Sequence, residues 1–399
     1  MHPARELCCI KSHKLEGKKI VIGVTGSIAA VESVKLSREL IRHGAEVYPV
    51  MSPAAQRIIH PNALEFATGN VPVTEIDGQV QHVALCGEVK DRADMLLIAP
   101  STANTISKIA CGIDDTSVTT FATTAIGSKI PVIVVCAMHI SMYNHPLVLE
   151  NIKKLREIGI SILEPKIEEH KAKMPNIHEI VAEVIRILGK RDLDGKKTLI
   201  IAGATAEEID DMRIITNRST GRTGVELAMN SYERGADVAL WMGRCHVPLP
   251  EFIPTKRFET VQDLLKMVDE IDHDIVIIPA AISDYSPEKH KGKIPSQSEE
   301  LSIKLRPNPK IIQKIRSKSD CYLVGFKAEY GVTEEELVER ARSRMKETGL
   351  DLIVANDISN TTQDENCVFI LGNDMKNEKI AGRKEKIAMR ILDRVVSLC

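Results

Sequence analysis

The chain has 399 residues, 43% hydrophobic, 27% charged and 3% aromatic, with 53 Lys+Arg against 55 Asp+Glu. That composition belongs to a folded protein long enough for two domains, and it excludes intrinsic disorder. So even a charge balance also excludes a surface whose main task is coating nucleic acid, because that binding is driven by phosphate neutralisation.

Residues 1–19 mix charged and polar groups, without the apolar core of a secretory signal. From Ile20 to Val24 an apolar run bounded by glycine has the pattern of a strand buried on both faces. Thr25-Gly26-Ser27 then opens a helix predicted over Ile28–Arg42, closing at Gly44, where a left-handed cap suits a residue without Cβ. A second strand is predicted over Val47–Met51, followed by Ser52. His82, an acid–base group usable near neutral pH, lies just before a helix predicted over Val83–Arg92. The predicted strand Met95–Pro100 leads into Ser101-Thr-Ala-Asn104-Thr105, with Asp114-Asp115 a solvated pair further on. A strand over Val132–Ala137 leads into His139. It sits in the longest apolar run, about Ile130–Met138, which is far short of the roughly 20 residues of a membrane span.

The charged, Gly-containing stretch Ile185–Lys197 is the predicted boundary, giving domains 1–190 and 191–399. Beyond it the chain echoes itself. Leu15-Glu-Gly-Lys-Lys is answered by Leu193-Asp-Gly-Lys-Lys, Arg42-His-Gly-Ala-Glu-Val47 by Glu233-Arg-Gly-Ala-Asp-Val238, and Ala93-Asp-Met-Leu by His273-Asp-Ile-Val. Each echo falls roughly 180 to 190 residues after its original, in the same order, which argues for two domains of one architecture. The second half accordingly reads strand Leu199–Ala202, helix Gly224–Arg234, cap Gly235, strand Val238–Met242 and strand Ile275–Ala280. Strand–helix–strand at this spacing is a βαβ unit, so the expected fold is α/β, with two Rossmann-like, doubly wound domains of parallel sheet in tandem.

In such sheets ligands bind at the carboxyl ends of the strands. Neither half carries Gly-x-Gly-x-x-Gly or a P-loop, and the second strands end in Met51-Ser52 and Met242-Gly243 without a ribose-binding acid. A nicotinamide dinucleotide is therefore disfavoured. The first half offers hydroxyls at helix N-termini instead, in the loops carrying Ser27, Ser52 and Ser101-Thr102. Any one could be a plain cap, but three on one sheet edge point to a phosphorylated cofactor. In the second half, Asp210–Gly224 is dense in donors and includes Arg213 and Asn217. Lys289–Lys293 is either a solvated charge run or a set of cations placed over a nucleotide's phosphates. The nine cysteines, odd in number and scattered from Cys8 to Cys399 without Cys-x-x-Cys spacing, read as neither disulfide framework nor zinc site and point to a reducing compartment, the cytoplasm.

Several motifs together carry a resemblance. They are Gly23-Val-Thr-Gly-Ser-Ile-Ala-Ala30, Gln81-His82-Val, Ala99-Pro-Ser-Thr-Ala-Asn104, Ile215-Thr-Asn217-Arg-Ser-Thr-Gly221 and Ala280-Ala-Ile-Ser-Asp284-Tyr. Asn308-Pro-Lys, Val324-Gly-Phe326-Lys-Ala-Glu329 and Ile353-Val-Ala-Asn356-Asp357 follow. Over nearly its whole length the chain resembles the bifunctional phosphopantothenoylcysteine decarboxylase/phosphopantothenate–cysteine ligase family of coenzyme A biosynthesis, in its archaeal form. The resemblance implies an FMN-dependent carbon–carbon lyase in the first half, with His82 the essential histidine. FMN would be held by Gly26, Ser27, Ile28, Ser52, Ser101, Thr102 and Asn104. It implies a carbon–nitrogen ligase in the second half, joining L-cysteine to 4′-phosphopantothenate through an acyl-cytidylate made from CTP with Mg2+. There Asn217 would steady the acyl-cytidylate and Lys293 would neutralise phosphates; Arg213, Ala280, Asp284, Asn308, Phe326 and Arg344 would bind substrate. A homo-oligomer is implied too, while no nucleic-acid or membrane partner is expected.

Two departures stand out. The family's Pro-Ala-Met-Asn reads Cys136-Ala-Met-His139, so an imidazole replaces the carboxylate-holding amide; it can still donate, more strongly if protonated. The downstream clamp, Glu164–Lys173, lacks the proton-donating cysteine of many members, leaving Lys173 or His139 as candidate donors. These departures motivate an alternative: a flavin-binding regulatory protein, or a ligase with an inactive decarboxylase half.

Overall fold

The first apolar run forms β1 (Lys19–Val24), whose last five residues are buried. The helix expected from Ile28 is split: a 3-10 turn, Ile28–Glu32, is capped by Ser27, and α1 (Ser33–Arg42) follows. The Ser33 hydroxyl donates to Ala99 O at 2.9 Å, anchoring the helix start to the neighbouring loop. β2 (Glu46–Met51) pairs in parallel with β1. The helix expected over Val83–Arg92 is instead α2 (Gln81–Cys86). It stops because Gly87 leaves in extended backbone and the chain turns back, the Ala93 N–H bonding Leu85 O at 2.7 Å.

This computed structural model describes residues 2–168, 171–295, 300–362, 364–374 and 376–399, and divides into two units, Met1–Gly189 and Lys190–Cys399. The first unit continues with β3 (Met95–Ser101), α3 (Ala103–Ala110), α4 (Ser117–Gly127), β4 (Val132–Cys136), α5 (Pro146–Glu157), β5 (Ser161–Leu163) and α6 (Ile177–Leu188). Its sheet has the order β2-β1-β3-β4-β5, all parallel, with an apolar core on each face. This is the doubly wound order with its switch point between β1 and β3.

The second unit holds β6 (Lys197–Ala202), α7 (Arg222–Glu233), β7 (Asp237–Met242), β8 (Thr255–Arg257), α8 (Val261–Met267) and β9 (Ile275–Ile278). Then come α9 (Ile311–Arg316), β10 (Tyr322–Glu329), α10 (Glu334–Thr348), β11 (Leu352–Asp357), β12 (Glu365–Gly372), β13 (Asn377–Arg383) and α11 (Lys384–Leu398). The sheet order is β8-β7-β6-β9-β10-β11-β12-β13, again with two cores. Pairing is parallel through β11, as expected, but β12 and β13 run antiparallel. The link between those two strands is too short for a crossover helix, so they form a hairpin.

Candidate active sites

In the first unit the loops after β1, β2 and β3 are bound to one another. The Thr25 hydroxyl donates to Pro100 O at 2.8 Å and accepts the Thr102 N–H at 3.2 Å. A Cβ on Gly26 would stand 2.5 Å from that of Ala54, so only glycine lets these loops meet. Ser27, Ser52 and Thr102 each accept a backbone N–H, from Ala29, Ala55 and Thr105. Ser101 differs, because its Oγ is buried without a partner. A buried orphan hydroxyl beside the start of α3 is what a phosphorylated ligand would satisfy. Ile28, 78% exposed, opens the 3-10 turn after β1, and exposed Asn104 lies in the first turn of α3, offering apolar and amide contacts. These residues therefore fit the expected flavin nucleotide.

His82 sits in the first turn of α2, edge-on to Phe121 with 6.4 Å between ring centroids. Its Nδ1 and the neighbouring Gln81 Oε1 are buried without partners. Phe121 had no signal in the sequence, since it comes from α4, almost forty residues further along.

His139 is placed by a small sheet in which Met138–His139 pairs with Lys171–Lys173, itself paired with Lys166–Glu168. The clamp is thus a hairpin laid against the His139 strand; its residues Glu169 and His170 lie outside the described residues. His139 Nδ1 accepts the Ser141 N–H at 3.2 Å, so Nε2 carries the ring hydrogen. The stronger donation imagined for a protonated ring would require breaking that cap. His139 and Lys173 line one cleft of about 1130 Å³, together with Ser27 and Ile28. Among its described lining residues there is no cysteine. Cys136, next in chain to this wall, is buried, and burial pushes its thiol up to about 12, so it is no replacement acid.

In the second unit the carboxyl ends of β6, β7 and β9 meet. Ala204 and Arg244 exchange backbone bonds at 2.9 and 2.8 Å, and Ala281 N–H donates to Gly203 O at 2.8 Å. Ala280 follows β9 after Pro279, its N–H on Ile201 O. Asn217 Nδ2 donates to Ala281 O at 3.1 Å, which brings it to the same edge. Asn308 donates to Ser283 O at 3.0 Å, while Asp284 pairs with Lys310. The Ser286 hydroxyl links Asn308 Oδ1 to Glu207, a buried carboxylate that also accepts the Val261 N–H. Phe326 lies on β10 one residue past the last β9–β10 pair, so it borders the same edge.

Asp210 organises the basic loop. Its side chain is fully buried and accepts N–H groups of Met212, Arg213 and Ile294, plus Arg213 Nη1. The Ile294 backbone bond heads the causes that hold its carboxyl at about 2. Lys289 is taken by Glu208 and Asp211 at 3.0 and 3.1 Å, and Gly292 N–H by Asp211. Lys293 is left exposed, without a carboxylate partner among the described residues. Arg213 gives its Nη1 to this clasp, bonding Asp210 at 2.8 Å and Ile294 O at 3.3 Å. Arg344 is not brought to this edge. It lies in the last turns of α10, which lead into Asp351, and Asp351 accepts the Leu323 N–H at the opposite end of β10.

Residues 9–189 match the Flavoprotein family, and residues 193–398 match the family described as DNA/pantothenate metabolism flavoprotein C-terminal domain. The coenzyme A biosynthesis bifunctional protein CoaBC of Thermococcus kodakarensis is 46% identical, over 99% of this chain and 99% of that protein. Its namesake from Methanocaldococcus jannaschii is 41% identical, over 100% of this chain and 98% of that protein. Among solved structures, a C-terminal domain of CoaBC aligns at 29% identity with TM-score 0.44, covering 52% of this chain and 97% of that one. The FMN-dependent cysteine decarboxylase SpaF aligns at 30% identity with TM-score 0.39, covering 43% and 98%. Among the described residues no helix is long and apolar enough to cross a membrane.

Proposed function

The chain belongs to the family of bifunctional coenzyme A biosynthesis proteins CoaBC, and from that premise we propose a division of its two activities between its two units. It is an enzyme with a decarboxylase and a ligase activity. We assign the FMN-dependent decarboxylation of phosphopantothenoylcysteine to residues 1–190, and the ligation of cysteine to 4′-phosphopantothenate to residues 191–399. The observation carrying this assignment is that each unit has its own loop cluster at the carboxyl edge of its own sheet, with different donors.

In ligation a carboxylate must first become an electrophile. Its oxygen attacks the α-phosphate of CTP and pyrophosphate leaves; the cysteine amine then attacks the acyl carbon and CMP departs. Lys293, exposed and without a carboxylate partner among the described residues, neutralises the triphosphate with Mg2+, while Asn217 holds the acyl-cytidylate. Asn308 and Phe326 border the nucleotide, and the Asp210 clasp keeps the loop in place.

In the first unit Gly26, Ser27, Ile28, Ser52, Ser101, Thr102 and Asn104 hold FMN, which when bound supplies the redox chemistry of decarboxylation. His82 moves the proton at the reacting thiol end, and His139 Nε2–H orients the departing carboxylate. We extend the proposal to assembly as a homo-oligomer. To test the ligase assignment, the purified chain is given 4′-phosphopantothenate, Mg2+ and CTP without cysteine, with hydroxylamine as a trap. Pyrophosphate release with CTP and a trapped hydroxamate are expected; activation by ATP but not CTP would overturn the cytidylate.

A further inference from the structure

The cleft shared by His139 and Lys173 continues along one face of α1, where Lys35, Arg38 and Arg42 follow one another at helical spacing. Lys11 joins them from the N-terminal segment, and the acids on this wall are Glu32 and Glu39. Glu39, only 5% exposed, binds both Lys11 and, at 2.8 Å, Arg42 Nη1. Burial alone would raise the Glu39 carboxyl, but the Lys11 and Arg42 bonds hold it below the usual range, so it stays anionic and those two cations stay occupied. Lys35 is turned to Glu32 at 3.2 Å.

Arg38 is left over. It is half-buried and has no carboxylate partner among the described residues; its guanidinium lies over the Phe66 ring, 5.9 Å from the centroid. An aromatic seat of this kind holds a guanidinium in place while leaving its N–H fork free. The wall thus carries more positive than negative charge, and Arg38, seated on Phe66, is the arginine among its lining residues without a carboxylate partner among the described residues. Nothing assigned above at His82, His139 or Ser101 uses it.

We propose that this face of α1 is the subsite for the phosphate monoester of the decarboxylase substrate, with Arg38 as its bidentate donor. The inference rests on the decarboxylase reading and deepens it. Arginine matches phosphate geometry with two parallel N–H bonds, and a cation in a walled cleft attracts a dianion more strongly than one on open surface. A cleft of about 1130 Å³ also exceeds what a carboxylate and a thiol need, and has room for the long amide arm that separates them from the phosphate.

The test uses the FMN-loaded full chain and compares kcat/KM for phosphopantothenoylcysteine and for its dephosphorylated counterpart. The wild type is expected to prefer the phosphorylated compound. Arg38→Gln should lose about ten- to a hundredfold on that compound, the worth of a hydrogen bond to a charged group, and less than about twofold on the other. Arg38→Lys, which keeps charge but not the fork, should fall between. Retained flavin absorbance in each variant establishes folding. Equal losses on both compounds, or none on either, would overturn the subsite while leaving the decarboxylase reading standing. A wild type that turns over neither compound would overturn that reading and take the subsite with it.

Discussion

At the amino edge of the first sheet, Leu15 N–H bonds His43 O at 2.8 Å, and Lys19 N–H bonds the Asp94 carboxylate at 2.8 Å. At the same place in the second, Leu193 N–H bonds Arg234 O at 3.1 Å, and Lys197 N–H bonds Asp274 at 2.8 Å. Gly44 and Gly235 close the corresponding helices at φ 104° and 98°. The repeated phrases are therefore the residues that satisfy backbone groups where strand, helix end and neighbouring strand meet, a requirement common to any such unit. The carboxyl edges share no such set. The first carries hydroxyls, including the orphan Ser101, and two histidines. The second carries buried carboxylates, Asp210 and Glu207, that hold loops, while Glu208 and Asp211 take Lys289 and leave Lys293 without a carboxylate partner among the described residues. A frame can be duplicated cheaply, whereas the chemistry is set by what each loop cluster leaves unpaired.

The comparison breaks most visibly at its two chemical ends. His82→Asn should cut decarboxylation by ~10²–10⁴ while flavin absorbance and ligation persist, the usual worth of a positioned acid–base group. Near-normal turnover in that variant would remove His82 from the mechanism. Lys293→Gln should reduce ligation, read by CMP release, by about 10²-fold and leave decarboxylation of supplied phosphopantothenoylcysteine, read by CO2 release, intact. Ser101→Ala should weaken FMN by about five- to tenfold in fluorescence titration, without lowering the melting temperature of the flavin-free chain. If that variant binds FMN as tightly as the wild type, Ser101 is not a ligand. The frame predicts symmetry instead: Asp94→Ala and Asp274→Ala should each cost about 1 kcal/mol, a shift of about 2–4 °C in the unit concerned. The smallest effect concerns pH. The Asp210 carboxyl, held at about 2 against an ordinary value near ~3.9, contributes stability that is complete above that ordinary value and lost as pH falls towards 2. The melting difference between wild type and Asp210→Asn should therefore shrink as the medium is acidified over that interval, and a constant difference would detach the clasp from the carboxylate's charge.

Much of the frame was legible because it is local. Apolar runs, glycine caps and the repeated phrases act over a few residues, and β1, β2, β6 and β7 fall within a residue or so of where periodicity puts them. The hairpin at β12–β13 was not legible, since nothing in a single strand states the direction of its neighbour. The site residues were visible as types but not as partners. Arg213 as a clasp and Arg38 over Phe66 depend on residues brought together by folding, such as Asp210 and Ile294, far apart in the chain. Arg344 shows the converse: a plausible cation in sequence, carried away from the site by the direction of its helix.

The most direct measurement is mass spectrometry of the products formed by the purified chain from 4′-phosphopantothenate, cysteine, CTP and Mg2+. Two working units predict 4′-phosphopantetheine, with His139 and Lys173 present and no clamp cysteine needed. A reaction that stops at phosphopantothenoylcysteine would contradict the account of the first unit, and no condensation at all would contradict that of the second.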